Sequence, residues 1–180
     1  MRKRRDERDV LKGLVAGLTG GLIASWAMNQ FQALWMKVAE SVETSQDDDS
    51  SEKGGEQQSG EEQDDATVKA ASAISEGIFD HKLAKSEKEI AGPAVHYAFG
   101  TSVGGLYGAV AELAPEVSAG VGLPFGAAFW LVADETAVPM LGLSKGPTEY
   151  PLSTHVYALA SHFVYGLTTE VVRRAVRNAL

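Results

Sequence analysis

Charged positions along this 180-residue chain gather into blocks and leave long apolar runs between them. Residues 14–34 contain no charge. As a helix, 21 residues at about 1.5 Å each reach roughly 31 Å, enough to cross a hydrocarbon core of about 30 Å. Residues 94–114, 119–141 and 152–172 repeat the pattern with few charges. The expected fold class is therefore all-α: a four-transmembrane-helix bundle. A basic tail at 1–12 precedes the first transmembrane helix at 13–36. An acidic linker follows at 40–66, then an amphipathic interfacial segment at 67–92, and 93–180 holds helices two to four with a basic end.

The polar stretches between these runs differ in kind. Residues 41–65 are Ser, Gln, Gly, Asp and Glu with almost nothing apolar, too little to offset the entropy of ordering them, so a disordered acidic outer loop is expected. Asp47, Asp48 and Asp49 lack the spacing of a calcium loop. From Thr67, the apolar positions Val68, Ala71, Ile74 and Ile78 return every three or four residues, which predicts a short amphipathic helix on the membrane surface. Ser86 and Glu89 have capping-box spacing, and Pro93 is expected in the first turn of the second span. Pro124 is expected to kink the third span.

Small residues predict how the spans pack. Gly13, Gly17, Gly21 and Ser25 recur every four residues, as do Gly100, Gly104 and Gly108, Gly122 and Gly126, and Ala158, His162 and Gly166. Lipid gives helices little hydrophobic reason to associate, so rows that allow close backbone approach mark interfaces, within the chain or in a homo-oligomer.

Bulk composition conceals this pattern. The net charge of -8 comes from residues 40–65, where 11 acidic residues face one Lys; the rest of the chain has 13 acidic and 15 basic residues. Arg2, Lys3, Arg4, Arg5, Arg8 and Lys12 precede the first span, and Arg173, Arg174 and Arg177 follow the last, so both termini are expected to be cytoplasmic and the acidic linker external. A cleaved signal peptide would end near Ala27, but the apolar run continues through Phe31 and Leu34. With no Cys, disulfide and thiolate chemistry is excluded.

Candidate chemistry lies in the polar residues that a lipid-facing helix would avoid: Asn29 and Gln30, His96, Asp134 and Glu135, His155 and His162. Asn29 continues the first glycine row, and His155 and His162 lie seven apart on one helical face. Asp134 is expected to meet at least one His in an outward-facing pocket for protons or a small cation, with Glu135 turned about 100° away as a control. The other reading is a structural or partner-binding scaffold whose polar groups only lock helix packing. Three His and two carboxylates could also hold zinc, but His155 and His162 are too far apart for the local four-residue pair of a zincin helix. Glu170 and Arg174, four apart, read as a surface salt bridge. Phosphate-loop, dinucleotide, serine-elbow and zincin motifs are absent, so no enzyme and no cofactor is expected. Short basic tails beside spans give no case for nucleic acid, and the expected partner is the lipid bilayer.

Several of these residues form a familiar order. His96 to Tyr107, Ala111–Glu112, Pro115, residues 139–143, Ser161–His162 and Glu170–Val171–Val172–Arg173–Arg174 resemble the YagU-like family of bacterial inner-membrane proteins, over roughly 94–178. The resemblance implies a bacterial inner-membrane location and this topology. It implies no activity, since the family's function is unknown, and it carries no catalytic residues over.

Overall fold

Helix α1 runs unbroken from Arg2 to Gln46, 45 residues, well past both ends of the apolar run at 14–34. In this computed structural model, residues 2–46 and 65–180 are described, with the side chains of 9–41 and 65–180. The basic tail and the start of the acidic linker are thus helical rather than separate segments. Arg, Lys, Glu and Ala are good helix formers, and neither Gly nor Pro interrupts residues 35–46. The remainder of the linker expected to be disordered, 47–64, lies outside the described residues.

The expected amphipathic segment at 67–92 is divided in two. Helix α2 spans Ala66–Phe79 and ends at Asp80, whose φ of 49° is left-handed. After a short extended stretch, α3 runs Lys85–Leu113. The Glu87 carboxylate accepts from the Ala84 N–H at 2.7 Å and from His81 Nε2 at 3.0 Å, so Glu87 starts α3 rather than the expected Ser86–Glu89 pair. With the helix begun that early, Pro93 lies inside α3 and not in its first turn.

The segment after α3 also departs from expectation. A 3₁₀ stretch covers Pro115–Gly122, with positive φ at Gly120 (71°), Val121 (56°) and Gly122 (84°). Helix α4, Leu123–Val132, therefore starts four residues later than expected and holds Pro124 in its first turn, where the missing N–H disrupts nothing. The kink lies before Pro124 instead. Val121 is a β-branched residue in the left-handed region, a strained position. Gly122 lies so close to the Gly166 carbonyl that a Cβ would collide with it. Past α4 the chain widens into a π-helical turn at Ala133–Ala137 before α5, Val138–Met140. That turn precedes Pro139, whose ring in a continuous α-helix would crowd the carbonyl four residues back, that of Glu135. A 3₁₀ turn at Pro147–Glu149 leads into α6, Leu152–Ala179. There is no strand among the described residues.

Helix α1 packs on α3 and α6, α4 packs on α6, and α2 lies on α3. The glycine rows form these contacts. A Cβ on Gly17 would strike the Gly104 carbonyl and sit 2.9 Å from the Gly108 Cα, while one on Gly20 would sit 2.7 Å from the Thr169 carbonyl. A Cβ on Gly126 would strike the His162 carbonyl. Between the helices, Ala24, Met28 and Tyr165 form a core closed by Phe125 and Phe129. The Tyr165 hydroxyl donates to the Gly100 carbonyl at 2.5 Å, tying α6 to α3.

The outside is apolar on every long helix: Leu22, Trp26 and Leu34 on α1, Phe99 and Leu106 on α3, Leu131 on α4, and Val156 and Val171 on α6 are exposed. The hydroxyls of Thr19 and Ser102 are satisfied within their own helices, donating to the carbonyls of Val15 and Ala98. Among the described residues, two segments are long and apolar enough to cross a membrane, Asp9–Ser41 and Pro115–Met140. Helices α3 and α6 have the length, but Gly, Ser, Thr, Tyr and His dilute their hydropathy.

Candidate functional site

Polar side chains collect at both ends of the bundle. At the end that carries the 142–151 loop, the π-helical turn presents two consecutive carboxylates to α6. Glu135 Oε1 accepts from His155 Nδ1 at 2.7 Å, and the other ring nitrogen, Nε2, lies 3.0 Å from the Pro147 carbonyl. Against an ionised Glu135 both partners of this ring are acceptors, and holding both bonds at once then takes the imidazolium.

One residue away, Asp134 Oδ2 stands 3.6 Å from His162 Nδ1, an ion-pair distance but not a hydrogen bond. That nitrogen instead donates to the Ala158 carbonyl at 2.9 Å. The His162 side chain is only 6% exposed, whereas the Asp134 side chain is 40% exposed. The wider turn places Asp134 and Glu135 on the same partner helix, so Glu135 is no control turned away from the site: it makes the shorter contact.

The remaining candidates lie on the neighbouring helices. Asn29 donates to the Tyr97 hydroxyl at 3.3 Å, linking α1 to α3. His96 packs edge-on against Tyr97, and its Nε2 is buried without a hydrogen-bond partner. Among the candidates the structure thus makes two His–carboxylate pairs, and neither Asn29 nor His96 hydrogen-bonds to either carboxylate. Among the described residues, no three His, Asp or Glu side chains are gathered as a metal site.

The other end holds a network that the sequence reading understated. Glu170, expected in a surface salt bridge, is fully buried. It accepts from the Tyr107 hydroxyl at 2.9 Å, from Arg173 Nε at 2.7 Å and Nη2 at 2.9 Å, and from Arg174 Nε. Beside it, Glu112 pairs with Arg177 at 2.7 Å, and Arg177 reaches Asp9 at 3.1 Å. Lys12 donates to the Leu180 carbonyl at 2.6 Å, so the start of α1 and the end of α6 meet. The available signal was the Glu170–Arg173–Arg174 spacing, which places both guanidinium groups over one carboxylate. Sequence could not show that Tyr107 and the backbone at Gly122 enclose it.

An aromatic stack separates the two ends. Phe129 lies edge-on to His162 at 5.1 Å, Phe125 is 6.3 Å from Phe129, and Tyr107 stacks on Phe125 at 4.0 Å.

Outside the bundle, two carboxylates sit at helix starts. Asp65 accepts from the Thr67 and Val68 amides, both at 2.9 Å. Burial raises its pKa, but the Thr67 hydroxyl and these amides outweigh that and hold the carboxyl below its usual range. The Ala84 amide, and then His81, hold Glu87 low in the same way.

Residues 73–171, more than half of the chain, match the DUF1440 family, described as a protein of unknown function. No curated protein and no solved structure matches the chain.

Proposed function

We propose that this chain, which belongs to the DUF1440 family, is a four-span protein of the bacterial inner membrane whose loop end takes up protons or a small cation. The apolar exterior supports the membrane setting, since a soluble monomer rarely exposes so continuous an apolar surface. Helices α1, α3 and α6 each exceed the bilayer core in length, the fourth apolar segment is Pro115–Met140, and hydroxyls of α3 and α6 such as Ser102 and Ser161 bond to their own helix. The resemblance to the YagU-like family fits the inner membrane, and the basic residues at the shared end of α1 and α6 favour cytoplasmic termini.

The observation that carries the ion reading is the pair of carboxylates on the π-helical turn. Glu135 holds His155, while the partly exposed Asp134 stands beside the buried His162. A carboxylate within reach of a His, one side open and the other shielded, can accept a proton or cation and pass it inward. We assign no enzymatic reaction. The scaffold reading draws support from the Glu170 network, whose buried carboxylate is held by Tyr107, Arg173 and Arg174.

Reconstitution into vesicles loaded with a pH-sensitive dye separates the two readings. Under an imposed potential, the wild type is expected to move protons or sodium faster than empty vesicles, and Asp134→Asn to lose that flux. Identical traces from wild-type and empty vesicles would leave the scaffold. Topology is tested with Ser59→Cys in a chain that has no other Cys. Labelling from the cytoplasmic side alone would overturn the orientation.

A further inference from the structure

Helices α3 and α4 stay apart along most of their length, bridged by the ring pairs Phe99–Phe129 and Tyr107–Phe125. Between them runs an open groove of about 380 Å³, lined by Leu106, Tyr107 and Val110 of α3, Val117 of the 3₁₀ stretch, and Phe125 and Ala128 of α4. That volume falls within the roughly 300–1,000 Å³ of small-ligand sites. The lining is apolar except for Tyr107, whose hydroxyl is directed away to Glu170. Such a groove has no polar group with which to orient a water-soluble ligand.

Its termini end is different. Val117 is followed by Ser118, whose carbonyl accepts from Arg174 Nη2 at 3.1 Å, so the guanidinium is bonded to the residue next to the groove lining. Arg174 uses Nε on Glu170 and one Nη2 hydrogen on Ser118, while its side chain is half exposed. Five N–H donors on a planar group leave room for a bidentate oxyanion. Charge at this end favours an anion as well. By sequence it holds nine basic residues (Arg2, Lys3, Arg4, Arg5, Arg8, Lys12, Arg173, Arg174, Arg177) against six acidic ones (Asp6, Glu7, Asp9, Glu112, Glu116, Glu170).

We propose that this groove holds an acyl chain of an anionic phospholipid whose phosphate is bound by Arg174. This rests on the membrane-spanning reading, which places the groove at acyl depth and Arg174 at headgroup depth of the cytoplasmic leaflet, where anionic lipids supply the charge. The site selects by headgroup through Arg174 and by shape through the gap between α3 and α4. It lies across the aromatic stack from the His–carboxylate pairs and needs neither of them.

The test titrates the detergent-solubilised full chain with phosphatidylglycerol or phosphatidylcholine of equal chain length and counts bound lipid by native mass spectrometry. The wild type is expected to hold phosphatidylglycerol about fivefold more tightly, the ratio that about 1 kcal/mol per basic residue at an anionic surface gives. Arg174→Gln should bring the two lipids level, and Arg174→Lys should keep part of the preference. Ala128→Trp fills the groove without touching the Glu170 network and should weaken both lipids, whereas Leu22→Trp on α1 should weaken neither. Equal retention of the two lipids by the wild type, or unchanged retention by Ala128→Trp, overturns the proposal. So does a Val110→Cys cross-link between two copies, which would show that a second chain fills the groove. In sealed vesicles, reaction of Val110→Cys with a water-soluble maleimide would show that the helices do not span. An unreactive Val110→Cys without lipid selectivity would leave the spans and remove the site.

Discussion

The phenolic hydroxyl of Tyr107 donates to Oε2 of Glu170 at 2.9 Å across the contact between α3 and α6, and it is the one hydrogen bond to that carboxylate from outside α6 among the described residues. Glu170 is fully buried, and its two arginines come from its own helix. Tyr107→Phe should therefore weaken the joint between helices while leaving the charge balanced. A hydrogen bond to a charged group contributes about 1.5–3 kcal/mol, and a loss of that order is expected in thermal unfolding in detergent. Glu170→Ala should cost more, about 3–5 kcal/mol, because it leaves the buried Arg173 without its nearest carboxylate. Equal stability of Glu170→Ala and Tyr107→Phe would show that the arginines find other partners.

Close approach of α1 to α3 sets the next expectation. A Cβ on Gly17 or Gly104 would meet facing backbone, which cannot rotate away as a side chain would. Gly17→Leu and Gly104→Leu should destabilise by more than the 1–3 kcal/mol typical of overpacked cores. Gly77→Ala, where an added Cβ meets nothing within 4 Å, serves as the tolerated control. Unfolding midpoints in one detergent suffice, and equal tolerance at all three positions would remove the close-approach argument.

These two cases mark how far the sequence could be read. Four-residue glycine spacing is set by the 3.6-residue turn, so Gly17, Gly104 and Gly126 could be assigned to interfaces before any partner was known. The Glu135–His155 pair could not. Assigning it assumed an α-helical turn of 100° between Asp134 and Glu135, and the π-helical turn before Pro139 breaks that assumption. Helix ends were the weakest part: the hydrophobic run marked residues 14–34, while propensity carried α1 out to Gln46. The burial of Glu170 depends on Gly122 at a φ of 84° beside Gly166, a backbone contact that side-chain patterns do not encode.

Coupling energies should rank the two His–carboxylate pairs. Glu135 and His155 are in hydrogen-bond contact at 2.7 Å, whereas Asp134 and His162 are 3.6 Å apart and His162 Nδ1 is taken by the Ala158 carbonyl. Double-mutant cycles with Glu135→Gln and His155→Gln should give an interaction within the usual 0.5–3 kcal/mol range. The cycle with Asp134→Asn and His162→Gln should give a smaller one. A larger value for the second pair would mean that Asp134 moves onto His162 in solution.

Acid should loosen the helix starts outside the bundle before it affects the interior. Asp65 and Glu87 both have carboxyls held below their usual range, by amide bonds at the start of α2 and of α3. A depressed carboxylate contributes stability above its unfolded pKa of about 4 and loses that contribution as pH falls through the lower folded value. Between pH 6 and pH 2.5, opening of the Thr67 and Val68 amides, measured by hydrogen exchange corrected for the intrinsic rate, should therefore increase. Asp65→Ala should raise the same opening at pH 6, by the roughly 0.5–2 kcal/mol of a lost N-cap, and should abolish its further change in acid. The Ala84 amide answers to Glu87 and should keep its acid response in that variant. If Thr67 and Val68 open equally at both pH values in the wild type, the Asp65 cap contributes nothing to α2.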